Sequence, residues 1–172
     1  MSSLLDVDLE QRGDLTLSAP DFDDGDRMPD YVGAVNDDEN PRLEVGGVPA
    51  DAESLVLVMD DPDTREAVGF TIDHWLVWDV DPAIDHVPRD WDPEADGATV
   101  GYNDMLESAY VGPAPPSGEH AYRFKLLALD GEIDLPPQAR KAVLDLRART
   151  ECSVLAGTQL VGTYDSSQGT IE

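Results

Sequence analysis

Three strand-length apolar runs constrain this chain more than any other feature. They are Ser54 to Met59, His74 to Val80 and His120 to Leu129. Their length and their Val and Trp content suit buried strands rather than helices. The first ends in Asp60-Asp61-Pro62 and the third in Asp130-Gly131, both turn-forming sequences. Nothing between them has a helical period, so a doubly wound α/β fold, which needs helices between its strands, is disfavoured. The stretch Asp81 to Gly118 is long and rich in Pro, Gly and Asp. A loop of that length is usually functional or contains short elements. Leu15 to Leu17 reads as a further short strand, and Val154 to Tyr164 as a closing one. The spacing predicts one clear helix over Pro137 to Arg149, started by prolines, with Ala139, Val143, Leu144 and Leu146 as its apolar face. The expected fold is mostly β: an antiparallel β-sandwich with one or two short C-terminal helices. The length of 172 residues suits a single domain over 1–172.

Charge narrows the setting. Asp and Glu number 37 against 11 Lys and Arg, a net charge of −26, and only Lys125 and Lys141 carry ammonium groups. The acids are spread along the whole chain rather than gathered in a tail. In dilute buffer such a surface repels itself. In molar salt the Debye length falls to about 3 Å and the repulsion is screened. A cytoplasm rich in salt is the expected environment. No basic cluster exists to release counterions from nucleic acid, and anionic membrane surfaces are disfavoured for the same reason. No apolar run is long enough for a transmembrane helix. The segment Met1 to Gln11 lacks the basic and apolar regions of a signal peptide. The single cysteine, Cys152, reads as a small core residue.

Several motifs fail on inspection. No phosphate-cradling glycine loop and no serine nucleophile elbow is present. The acids Asp21, Asp23, Asp24 and Asp26 lack the spacing and terminal bidentate acid of a calcium loop. Pro113 to Pro116 fits PxxP, but reads as a rigid turn. What remains gathers at strand ends: Asp60-Asp61-Pro62-Asp63, then Asp73-His74-Trp75, then Gly112 to Gly118 leading into His120-Ala121-Tyr122. Two of the three histidines, a carboxylate pair and a Gly/Pro loop therefore share one kind of position.

In these phrases the chain resembles the phosphatidylethanolamine-binding protein family, in its bacterial and archaeal Raf-kinase-inhibitor-like branch. One family signature corresponds to Leu55 to Asp63 with His74-Trp75. A second corresponds to Gly101 to Asp104 and Gly112 to Tyr122. Phe124 to Asp130 and Leu160 to Tyr164 resemble later family strands, and Asn40-Pro41 with Leu43 an early segment. The likeness covers about 28–164. Two positions depart from it: the usual Cys is Ala114 and the usual Arg is Ala121. The next arginine, Arg123, faces away from Tyr122 on a strand. The insert Asp85 to Ala98 is acidic, and its His86 is expected at the surface.

The resemblance implies an antiparallel sandwich with a small anion pocket. Asp61, His74 and His120 would line it, Tyr122 would lie close, and Gly112 and Ala114 would supply backbone N–H groups. Imidazole and amide donors can hold an anion on a negative protein if they converge. Asp61 can orient one imidazole in its charged state. The expected function is binding of a small anionic or phosphorylated ligand, with a regulatory, kinase-inhibitor-like role implied by the family name. The protein is expected not to be an enzyme and to need no metal or cofactor. It is expected to be a monomer or homodimer in the cytoplasm, with no protein partner nameable from the sequence. The alternative is a hydrolase, metal-dependent or acid–base, using His74, His120 and Asp61.

Overall fold

In the computed structural model, which describes residues 3–169, eight strands form two antiparallel sheets. The strands are β1 (Thr16–Ser18), β2 (Leu43–Gly46), β3 (Ser54–Asp61), β4 (Ile72–Val80), β5 (His86–Val87), β6 (Thr99–Val100), β7 (Glu119–Leu129) and β8 (Val154–Asp165). The small sheet has the order β1-β2-β5 and the large one β6-β4-β3-β7-β8. The helices are α1 (Arg65–Val68) and α2 (Lys141–Glu151). The large sheet does not close into a barrel.

β3 lies at the centre of the large sheet, and every one of its residues is buried. Its continuous apolar run follows from cover on both faces. Leu55, Leu57 and Met59 join Trp75, Val77, Phe124 and Leu126 in a core shared with Leu17, Leu43, Val45 and Val87 of the small sheet. The alternate residues Val56 and Val58 join Leu76, Trp78, Leu127 and Leu129 in a second core. That core is closed by Leu144 and Ala148 of α2 and by Leu5 of the N-terminal segment. Each fully buried side chain of this size contributes about 1.5–3 kcal/mol.

The helix is a correction to the sequence expectation. α2 begins four residues later, because Arg140 is extended (φ −98°, ψ 168°) and Ala139 is held in a turn by its N–H to the Pro136 carbonyl. Its buried stripe is Lys141, Leu144, Asp145 and Ala148, while Val143 and Leu146 are 42% and 47% exposed. Polar partners rotate it: Asp145 Oδ1 accepts the N–H groups of Leu4 and Leu5, and Lys141 reaches into the sheet. Tertiary contacts have overridden the simple apolar face. Within the irregular stretch before β7 lie β5, β6 and a 3-10 turn at Pro93–Asp96. Cys152 is half-buried at the rim of the second core. His86 lies on β5 with its side chain 38% exposed, against Asp85.

Candidate functional site

The end of the large sheet carries two groups of polar residues, one on each face. Their separation begins in a register shift. Met59 pairs with Trp75, but Asp60 pairs with Asp73 and Asp61 with Ile72. His74 is the extra residue of this β-bulge. Strict alternation from Trp75 would send His74 to the helix side. The bulge breaks the alternation, and His74 joins Asp61 and Ile72 in the lining of one cavity. Bulges commonly re-aim a side chain in this way.

That cavity, of about 200 Å³, lies at the end of the inter-sheet core. All six residues expected at the site line it: Asp61, His74, Gly112, Ala114, His120 and Tyr122. Thr64, Ile72, Met105, Val111 and Pro115 complete much of the wall. Asp61 Oδ2 lies 2.6 Å from His120 Nδ1, and Asp61 Oδ1 accepts the Asp63 N–H. Asp63 in turn accepts the Ala121 N–H, tying the turn after β3 to β7. His74 Nδ1 lies 2.7 Å from the Val111 carbonyl oxygen. Burial holds the His74 imidazole below its ordinary pKa, against the opposing pull of the Val111 hydrogen bond and the charges of Asp61, Asp60 and Asp104. Tyr122 packs edge-on against the His74 ring and tilted beside His120. Burial, and the charge of the Asp61 carboxylate to which its hydroxyl is hydrogen-bonded, raise its phenol well above the ordinary value. Neither imidazole Nε2 has a partner among the described residues.

Gly112 serves differently from the expectation. Its N–H donates to Asp38 Oδ1 at 2.7 Å, so it is already engaged. A Cβ here would fall 2.0 Å from the Val32 carbonyl oxygen, which explains the glycine by close approach. Ala114, exposed at the rim, has no such partner for its N–H among the described residues. The wall around Val111 is set by the Gly-x-Asn-Asp phrase. Asn103 Nδ2 donates to the Ala109 carbonyl, and its Oδ1 accepts from Met105 and Glu107. Asp104 exchanges two backbone-directed hydrogen bonds with Asp73.

The opposite face holds what sequence reasoning missed. Asp60 is fully buried between Arg123, Lys125 and Lys141. Arg123 grips it with two hydrogen bonds of 2.7 and 2.8 Å. Burial alone would raise the Asp60 pKa, but Arg123 and the two lysines outweigh it and lower it. Lys141 also pairs with Asp73, whose pKa burial raises to about 6 despite that partner. Burial brings Lys125 down to about 8. Both lysines of the chain are thus internal, 0% and 6% exposed. Arg123 is committed here, away from the cavity, so it does not replace the arginine missing at Ala121. The only sequence signal for this network was the scarcity of lysine itself.

The hydrolase alternative puts Asp61, His74 and His120 around one metal or one reacting bond. In the structure the Asp61 carboxylate is directed at His120 and Asp63, and the described residues contain no metal-ready group of three or more His, Cys, Asp or Glu.

Fold and cavity together define a class: two-sheet antiparallel sandwiches with a small histidine-bearing cavity at one end of the core. Residues 18–165 match the phosphatidylethanolamine-binding protein family, and the chain belongs to that family. A UPF0098 protein of Methanothermobacter thermautotrophicus is 37% identical over 153 residues, spanning 87% of this chain and 98% of that one. A crystal structure of a phosphatidylethanolamine-binding protein homologue from Chlamydia trachomatis superposes with a TM-score of 0.80 at 28% identity, covering 88% and 97%. Escherichia coli YbcL shares the fold, with a TM-score of 0.79 at 21% identity over 88% and 98%. No helix among the described residues is long and apolar enough to cross a membrane.

Proposed function

We propose that the cavity binds a small phosphate-type oxyanion and performs no chemistry on it. One observation carries this reading: two imidazoles with Nε2 atoms unpartnered among the described residues meet a rim N–H in a cavity of about 200 Å³. That volume suits an anion or a single headgroup rather than a large cofactor. The negative surface does not forbid it, since the site's donors act locally within a partly dry cavity. In this reading the chain works as one domain in the cytoplasm. Any kinase-directed or other regulatory role would pass through a protein partner that responds to the loaded cavity.

The test is calorimetric titration with inorganic phosphate in molar KCl, for the parent, His74→Ala and His120→Ala. Each variant should keep its circular dichroism spectrum and lose roughly 1.5–3 kcal/mol of binding, the worth of a charge-assisted hydrogen bond. Unchanged affinity in both variants overturns the reading. So does hydrolysis of a simple phosphomonoester above background that disappears in His120→Ala.

A further inference from the structure

Accepting that the cavity holds an oxyanion, we propose that it selects oxyanions that still carry a proton: phosphate and its monoesters, against sulfate and phosphodiesters. The geometry of His74 supports this. A carbonyl oxygen can only accept, so the 2.7 Å contact with Val111 puts the ring proton on Nδ1. Nε2 of the neutral ring is then a lone pair facing the cavity. An anion without a proton meets that lone pair with its own, which is repulsive. An anion with one O–H donates to it. The remaining ligand oxygens accept from the Ala114 N–H, and from His120 Nε2 when that atom is protonated, while the Tyr122 hydroxyl is engaged with Asp61.

The ring could escape the conflict by taking a second proton. Its surroundings resist this. His74 is only 7% exposed, and burial dominates over the charges that face it. Those charges are Asp61 across the cavity, Asp60 on the opposite face of β3 and Asp104 on the wall loop. Asp61 is already directed at His120, and Asp60 is matched by three cations. The other titratable neighbours are Tyr122, which stays neutral, and His120, whose ring shares the cavity.

A phosphomonoester has its second pKa near 6, so one proton is within easy reach at neutral pH. Sulfate and phosphodiesters hold none there. The intact headgroup of a diacyl phospholipid is a diester, so the proposal favours free phosphate or a soluble phosphomonoester as the source.

The experiment titrates four probes by calorimetry at pH 7.5 in constant molar KCl: inorganic phosphate, methyl phosphate, sulfate and dimethyl phosphate. The expected result is at least tenfold tighter binding of the first two. Methyl phosphate is mostly a dianion at this pH, so its binding should draw a proton from solution, read as a dependence of the heat on the buffer's ionisation enthalpy, whereas inorganic phosphate already carries its O–H and should draw much less. The gap to sulfate should narrow as the pH is lowered far enough for the His74 ring to take its second proton. In His74→Phe, which keeps ring bulk without the lone pair, the phosphate-to-sulfate ratio should fall towards one. Sulfate binding as tightly as phosphate at pH 7.5 overturns the proposal, as does an unchanged ratio in His74→Phe. Binding of none of the four probes removes the oxyanion reading itself, and this proposal with it.

Discussion

Asp60 and Asp61 are neighbours in sequence and opposites in surroundings. Asp60 faces the helix side of the sheet, has no exposure and is enclosed by three cations. Asp61 faces the cavity and orients one imidazole. Strand alternation separates them, and the number of partners decides what each does. A buried carboxylate with several fixed cations is a structural joint, because removing it strands charge. A carboxylate that faces an open cavity and holds no fixed cation can take part in binding with little consequence for the fold.

The largest effect that bears on this contrast is salt. The exposed acids need screening, so cooperative folding in molar KCl should give way to loss of structure in dilute buffer. A circular dichroism melt across a salt series reads it. An unchanged melting temperature between low and molar salt would mean that the internal network alone holds the fold against the surface charge.

Next in size is Asp60→Asn. It leaves Arg123, Lys125 and Lys141 without their common counter-charge, at a cost of about 3–5 kcal/mol in urea unfolding at constant molar KCl. The same cost should appear at two high salt concentrations, since buried pairs are screened little. A loss below about 1 kcal/mol would erase the distinction between the two faces.

Asp61→Asn should reverse the pattern, lowering stability by no more than about 1 kcal/mol while phosphate affinity falls by roughly 1.5–3 kcal/mol. A variant that unfolds as readily as Asp60→Asn would make Asp61 a structural residue too.

The smallest effect lies within the network. The Asp73 pKa, about 6, stands above its ordinary 3.8. The folded state therefore holds that proton more tightly than the unfolded state does. The contribution is fully present below the unfolded value and is lost as pH rises through about 6. Parent stability relative to Asp73→Asn should therefore fall by about 1 kcal/mol between pH 5 and pH 8. Urea unfolding at both pH values checks it, and a difference of the opposite sign would show that Lys141 dominates Asp73 as it does Asp60.

The sequence made the main strands and the cavity residues legible for different reasons. Ser54 to Met59 and His120 to Leu129 are apolar enough to be strands in any context. The cavity was legible because its residues sit in fixed phrases at strand ends. What stayed hidden depends on register and on backbone atoms. Nothing in the local sequence says that Asp60 meets Arg123 and Asp73 across two neighbouring strands. The bulge that aims His74 is a counting mismatch between β3 and β4, visible only once both are paired. Val111 acts through its carbonyl, so its side chain gives no clue, and Asp38 takes the Gly112 N–H from 74 residues away in sequence. The helix began late because its first turn answers to Asp73 and Asp60 rather than to its own apolar period.

The burial of Lys125 and Lys141 also decides which covalent chemistry can reach this protein. With 0% and 6% exposure, neither side-chain amine meets an acylating, methylating or conjugating agent while the fold is closed. Enzymatic tags that attach through lysine have no acceptor side chain on the folded surface, so such a tag would record a chain caught before folding or after opening. The rate at which an amine-directed reagent labels these two residues then becomes a clock for the opening of the sheet's helix face.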